Sequence, residues 1–89
     1  MPHQITAVDK AANSTLTVLE KIPNFLIPEF AKIVTAGPAV AIYVRHYREI
    51  LKSPHTSEED KAFARAYLSR AKKTLPTLHK LLPVEEELL

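Results

Sequence analysis

Hydrophobic residues recur every three or four positions along most of the chain, which is the spacing of a buried helical face. Prolines interrupt this pattern, and because a proline inside a helix costs about 3 kcal/mol, they mark helix ends or first turns. The pattern predicts helices over about 5–21, 24–36 and 38–52, a fourth that begins after Thr56 or Ser57, and a short fifth over about 75–82. We therefore expect an all-α fold, a small bundle of four short helices plus a short C-terminal fifth.

The fourth helix has the most complete set of local signals. Thr56 and Ser57 are both candidate N-caps, since an acidic residue follows each of them three positions later. Residues 58–60 are acidic and would lie at the positive end of the helix dipole, whereas Lys72 and Lys73 would lie at its negative end. The apolar positions of the third and fourth helices predict a core that contains Tyr47, Leu51, Phe63, Tyr67 and Leu68.

The pair Gly37-Pro38 is predicted to end the second helix and to begin the third. Gly37 is the only glycine in the chain and would supply the left-handed residue that commonly closes a helix. Pro38 would then occupy the first turn of the next helix. Asn24 would be the N-cap of the second helix. The inward stripe of that helix would comprise Leu26, Phe30, Ile33 and Val34.

The composition favours one folded domain. The chain has 89 residues, 46% of them hydrophobic, and a net charge of only +2, which argues against intrinsic disorder. Because it has no cysteine, it can form neither a disulfide nor a thiolate metal site. We place a single helical domain over residues 1–83 and an acidic tail over residues 84–89.

Nothing in the sequence indicates a membrane span or a secretory signal. The longest uncharged run, 33–44, is shorter than the ~20 apolar residues that a spanning helix needs, so we expect no membrane insertion. Residues 1–4 lack the basic segment, followed by an apolar one, that a secretory signal requires. These features favour an intracellular, cytoplasmic protein, with an organelle as the open alternative.

The sequence also lacks the motifs of catalysis, cofactor binding and metal binding. The serines have no surrounding nucleophile motif, and a single glycine cannot build a phosphate-binding loop. The four histidines, of which His46 lies three residues from Glu49, do not form the set of three or four ligands that zinc requires. We therefore expect a protein that is not an enzyme, with no catalytic residue, no cofactor and no bound metal.

Two basic faces suggest a function as a small nucleic-acid-binding regulator, which we keep as the alternative. Residues 31–84 carry a charge of +6, and positive helix faces neutralise phosphates. The candidate polyanion-binding residues are Arg45, Arg48 and Lys52 on the third helix and Lys61, Arg65 and Lys72 on the fourth. A solvated surface and an acidic protein partner are the other interpretations of these faces.

The segment His46–Leu51, with the sequence HYREIL, is similar to the Leu-Tyr-Arg helix of the small mitochondrial adaptor proteins named after that motif. The similarity covers six residues, and His46 stands in the place of the leading leucine. It lies in the middle of this chain, whereas those proteins carry the motif near the start of their first helix. We transfer no function from so short a segment.

The leading functional hypothesis comes from a surplus of apolar residues. Phe25, Ile27 and Ile42 are left over once each helix has been given one inward stripe. If they share an exposed patch, the chain is a non-enzymatic interaction protein, a small subunit or adaptor that docks on a larger protein or on itself. The competing interpretation makes the third helix central and places all three residues in the core.

Overall fold

The computed structural model describes residues 3–82. They form four helices, α1 (Ala7–Lys21), α2 (Glu29–Lys52), α3 (Glu58–Thr74) and α4 (Pro76–Leu81). Within this range all regular secondary structure is helical, so the predicted small all-α bundle is confirmed. The acidic tail proposed over 84–89 lies outside the described residues.

A capping box fixes the start of α1. The Thr6 hydroxyl accepts a hydrogen bond from the backbone N–H of Asp9 (3.1 Å), and the Asp9 carboxylate accepts one from the N–H of Thr6 (3.1 Å). The helix ends at Lys21, two residues before Pro23. The buried apolar side chains of α1 are those of Ala12, Leu16 and Leu19, whereas Val8, and Ile5 before the helix, are exposed.

The predicted break at Gly37-Pro38 is wrong, because α2 runs unbroken from Glu29 to Lys52 and Gly37 has no positive φ. Pro38 removes only the hydrogen bond to the carbonyl of Val34, and both residues lie on the exposed side of α2, where water can satisfy that carbonyl. Gly37 is instead a buried residue inside the helix. A Cβ at this position would lie 3.1 Å from Ile33 Cγ2 and 3.9 Å from Leu78 Cδ1 of α4. Asn24 is correspondingly not the N-cap of α2, which is Pro28.

The limits of α3 follow its local signals. Ser57 is the N-cap, and its hydroxyl accepts a hydrogen bond from the backbone N–H of Asp60 (3.1 Å). Arg70 ties α3 to α1, since its guanidinium donates to the Glu20 carboxylate (2.7 Å) and also contacts Asn13 and Thr17. Leu75 separates α3 from the six-residue α4, which begins with a proline.

The core lies where α1, α2 and α3 meet, and α4 closes one end. Tyr47, Tyr67 and Leu68 are buried as predicted, while Phe63 and Leu51 are half-buried against the same cluster. The rings of Tyr47 and Tyr67 are 4.6 Å apart, and that of Phe63 lies 5.8 Å from Tyr47. These aromatic side chains therefore belong to the core, where they join α2 to α3.

Candidate docking surface

The most unusual surface of the molecule is a row of large apolar side chains on α2. Phe30, Val34, Pro38 and Ile42 follow one another at intervals of four residues and are all exposed, Phe30 to 77% and Ile42 to 63%. Residues four apart on a helix lie on one ridge, and this one is about 18 Å long. We call these four residues the apolar ridge.

The loop before α2 extends this apolar surface. Phe25 is 85% exposed, and Leu26 and Ile27 are exposed as well. The loop leads directly into the first turn of α2, where the ridge begins. We call residues 25–27 the apolar loop.

The structure places all three residues of the docking hypothesis, Phe25, Ile27 and Ile42, on the surface, and the competing interpretation that they are core is wrong. Their role in an interface stays a prediction. The predicted inward stripe of the second helix is also wrong for its members Leu26, Phe30 and Val34, which are exposed. Apart from Lys32, the buried residues of α2 lie between Gly37 and Arg48, and Phe30 and Val34 precede that packed part of the helix.

A buried lysine holds the apolar loop in place. Lys32 is buried on α2, and its ammonium group donates to the Ile22 carbonyl (2.5 Å) and to the Asn24 side-chain oxygen (2.9 Å). The backbone N–H groups of Leu26 and Ile27 both donate to the Pro23 carbonyl. The loop is therefore fixed by polar contacts while its large side chains stay in solvent.

The exposed apolar area exceeds what isolated surface residues give. The side chains of the loop and the ridge together expose on the order of 600 Å², summed over the two segments. At about 25 cal/mol per Å², removing this area from water is favourable by roughly 15 kcal/mol before the costs of association. The patch is thus large enough to support a specific interface.

Basic residues follow the ridge beyond Ile42. Arg45 and His46 are exposed and follow Ile42 by three and four residues, so they are its neighbours on the helix surface. One turn further on, Lys52 pairs with Glu49 at 3.7 Å. Between residues 33 and 44 there is no charged residue at all. The ridge is therefore apolar along its length and cationic beyond Ile42.

One of the six candidate polyanion-binding residues, Arg48, is buried and does not belong to a basic surface. Arg48 was predicted to lie on the outer face of its helix, but it is only 5% exposed, and burial, followed by the nearby charge of Arg45, lowers its pKa. Arg48 lies there because it occupies the buried side of the continuous helix α2, next to Tyr47. The other candidates remain at the surface, with Arg45, Lys52, Arg65 and Lys72 exposed and Lys61 half-buried.

Two histidines have surroundings that the sequence did not indicate. His3 Nε2 lies 2.8 Å from the Asp9 carboxylate and its Nδ1 lies 2.5 Å from that of Asp60. His79 is buried on α4, and neither ring nitrogen has a hydrogen-bond partner among residues 3–82. Burial, reinforced by the charges of Arg48 and Lys72, lowers the pKa of His79, so its ring is neutral at pH 7.

Residues 3–82 contain no group of three or more histidine, aspartate or glutamate side chains placed to hold a metal ion. Over the same range, no helix combines the length and the hydropathy that crossing a membrane requires. Comparisons with protein-family models, with curated proteins and with solved structures give no match for this chain.

Proposed function

We propose that this chain is a non-enzymatic interaction protein that docks through the apolar loop and the apolar ridge on another protein. The observation that supports this proposal is the exposure of large apolar side chains along 18 Å of α2, since a docking surface is the usual reason to keep such a patch. Phe30 and Phe25 are its anchors, because aromatic side chains contribute most to the energy of interfaces.

The fixed loop supports the same proposal. Ordering a flexible loop on binding costs about 1–2 kcal/mol for each residue whose backbone becomes fixed. Lys32 and the turn at Pro23 have already ordered the backbone that carries Phe25, Leu26 and Ile27. A partner would therefore meet a surface that needs little rearrangement.

The charges around the ridge favour a different protein over a second copy as the partner. Arg45 and His46 border Ile42, and residues 31–84 have an excess of positive charge. A second copy would bring the same positive surroundings to the interface. The partner that fits best has an apolar groove with acidic residues at the end where Arg45 lies.

The substitution Ile42→Asp tests the proposal. Ile42 is exposed, so the variant should fold with a melting temperature within a few degrees of the wild type, while a carboxylate buried in the interface without a partner should weaken docking by at least tenfold. Ser69→Asp is the matched control, because it adds the same charge at an exposed position of α3.

The measurements are circular dichroism for the fold, light scattering for self-association and quantitative co-purification for partners. The proposal predicts a folded Ile42→Asp protein that has lost a protein partner retained by Ser69→Asp. It is contradicted if both variants keep the same partners, if only a heavier species made of this chain disappears, or if the wild type associates with lipid vesicles alone.

A further inference from the structure

A cluster of side chains at the other end of the bundle joins the segment before α1 to two helices. His3 contacts Asp9 on α1 through Nε2 and Asp60 on α3 through Nδ1. Its ring also stacks on Phe63, with the ring centres 4.2 Å apart and the planes 21° from parallel. Asp9 in turn accepts a hydrogen bond from the hydroxyl of Tyr47 on α2 (2.5 Å).

The chemistry of these contacts requires a proton on both nitrogens of His3. An ionised carboxylate can only accept hydrogen bonds, and a neutral imidazole has a single N–H to donate. Two carboxylates are therefore satisfied together only by the imidazolium form. Neutral His3 would turn the lone pair of one nitrogen toward a negatively charged oxygen.

We infer that His3 is a protonation-dependent clasp, which as imidazolium fastens residues 3–6 across α1 and α3 and on losing its proton releases Asp60. Asp60 is the contact that gives way, because its side chain is 40% exposed and water can replace His3. Asp9 has an exposed fraction of only 3% and keeps its donors from Thr6 and Tyr47.

Opening of the clasp changes a surface that lies outside the apolar ridge. The ring of His3 covers one face of Phe63, and His3 also lines a cleft of about 640 Å³. Val8 and Ile50 contribute apolar walls to this cleft. Release of His3 would therefore expose apolar surface that is covered in the closed form.

The charges of the cluster set the pH range of the clasp. The hydrogen bond to Asp60 is the largest influence on His3 and, with the two carboxylate charges, raises its pKa above 6.5 in spite of burial. The hydrogen bond from His3 lowers the pKa of Asp60. Burial raises the pKa of Asp9. The hydrogen bonds from Tyr47, Thr6 and His3 together outweigh burial and hold this pKa below 3.8.

The directions of these pKa shifts determine the pH range in which the clasp stabilises the fold. A raised histidine pKa means that the contribution of the clasp to stability is complete below pH 6.5 and is lost as the pH rises through the pKa of folded His3. The lowered carboxylate pKa values mean that it is also lost in acid, below pH 3.8. His46 lines the same cleft, so its ring signals must be followed separately from those of His3.

Histidine ring signals in NMR, recorded from pH 5 to 9, test the clasp together with the heteronuclear NOE of Gln4 and Ile5. We expect His3 to titrate above 6.5 and the NOE values to fall along the same curve, as the segment becomes flexible on the picosecond to nanosecond timescale. Asp60→Asn should lower the pKa of His3. His55→Gln, a change in an exposed loop, should leave it unchanged.

His3→Gln separates the imidazole from other groups that titrate in this range. In that variant the NOE of Gln4 should be low at all pH values, and the stability difference from the wild type should shrink as the pH rises. The clasp is refuted if His3 titrates at or below 6.5, if Asp60→Asn leaves its pKa unchanged, or if residues 4 and 5 stay rigid after His3 has lost its proton.

Discussion

Two buried tyrosines, 4.6 Å apart, should respond in opposite ways to removal of the hydroxyl group. The hydroxyl of Tyr47 donates to the buried carboxylate of Asp9 at 2.5 Å, whereas that of Tyr67 is buried with no hydrogen-bond partner in the described part of the chain. A hydrogen bond to a charged group contributes about 1.5–3 kcal/mol, and a buried unsatisfied hydroxyl is unfavourable by about 1–3 kcal/mol. Tyr47→Phe should therefore destabilise the protein, and Tyr67→Phe should leave it unchanged or more stable.

In a domain of this size each kcal/mol shifts the melting temperature by about 4–8 °C, so Tyr47→Phe should lower it by roughly 10 °C or more. Urea denaturation at pH 7 should show the same loss with an unchanged m-value, since both variants bury the same ring. The hydrogen bond from Tyr47 holds the pKa of Asp9 down, against the raising influence of burial.

The stability that this low pKa provides is present above pH 3.8 and is lost as the pH falls through the pKa of folded Asp9. The difference between wild type and Tyr47→Phe should therefore be largest near neutral pH and should close in acid. Equal effects of the two Tyr→Phe substitutions, or a difference that does not change with pH, would refute this reasoning.

Two further predictions concern the core and the basic faces. Leu68→Ala removes a side chain buried in α3 and should destabilise by ~2–5 kcal/mol, and a thermal melt close to that of the wild type would show that Leu68 is not in the core. Since Arg48 is buried and the net charge is only +2, we expect no measurable binding to duplex DNA at physiological salt. Fluorescence anisotropy checks this, and micromolar affinity that falls steeply with added salt would reinstate the basic faces as a function.

Helix α3 could be predicted from the sequence, because its capping, charge and apolar signals are all local. The Ser57 cap and the acidic first turn mark the start of α3, and its apolar positions correctly identified Tyr67 and Leu68 as buried. The start of α1 could also have been found, since Thr6 and Asp9 have the spacing of a capping box. These features depend on residues three or four apart, so the sequence records them directly.

The remaining features depend on contacts between distant residues. Gly37 was interpreted as a helix end, but it lies inside α2 near Leu78 of α4, which is 41 positions later in the sequence. Because the second helix was predicted to end at Gly37, Phe30 and Val34 were assigned to the core. Both are exposed, so the apolar surface is larger than predicted. The contact of His3 with Asp60 spans 57 positions and has no local signal.

The proposed function requires that a protein partner covers the apolar ridge. The most direct measurement replaces Phe30 by the photo-crosslinking residue benzoylphenylalanine and, in a control, replaces exposed Ser69 in the same way. Illumination in cells followed by mass spectrometry then identifies the peptides in contact with each position.

We predict that position 30 crosslinks to an apolar segment of a different protein that includes acidic residues, that position 69 does not, and that Ile42→Asp abolishes the crosslink. Equal crosslinking from both positions, persistence of the crosslink in Ile42→Asp, or crosslinks from position 30 only to this chain or to lipid would contradict the claim.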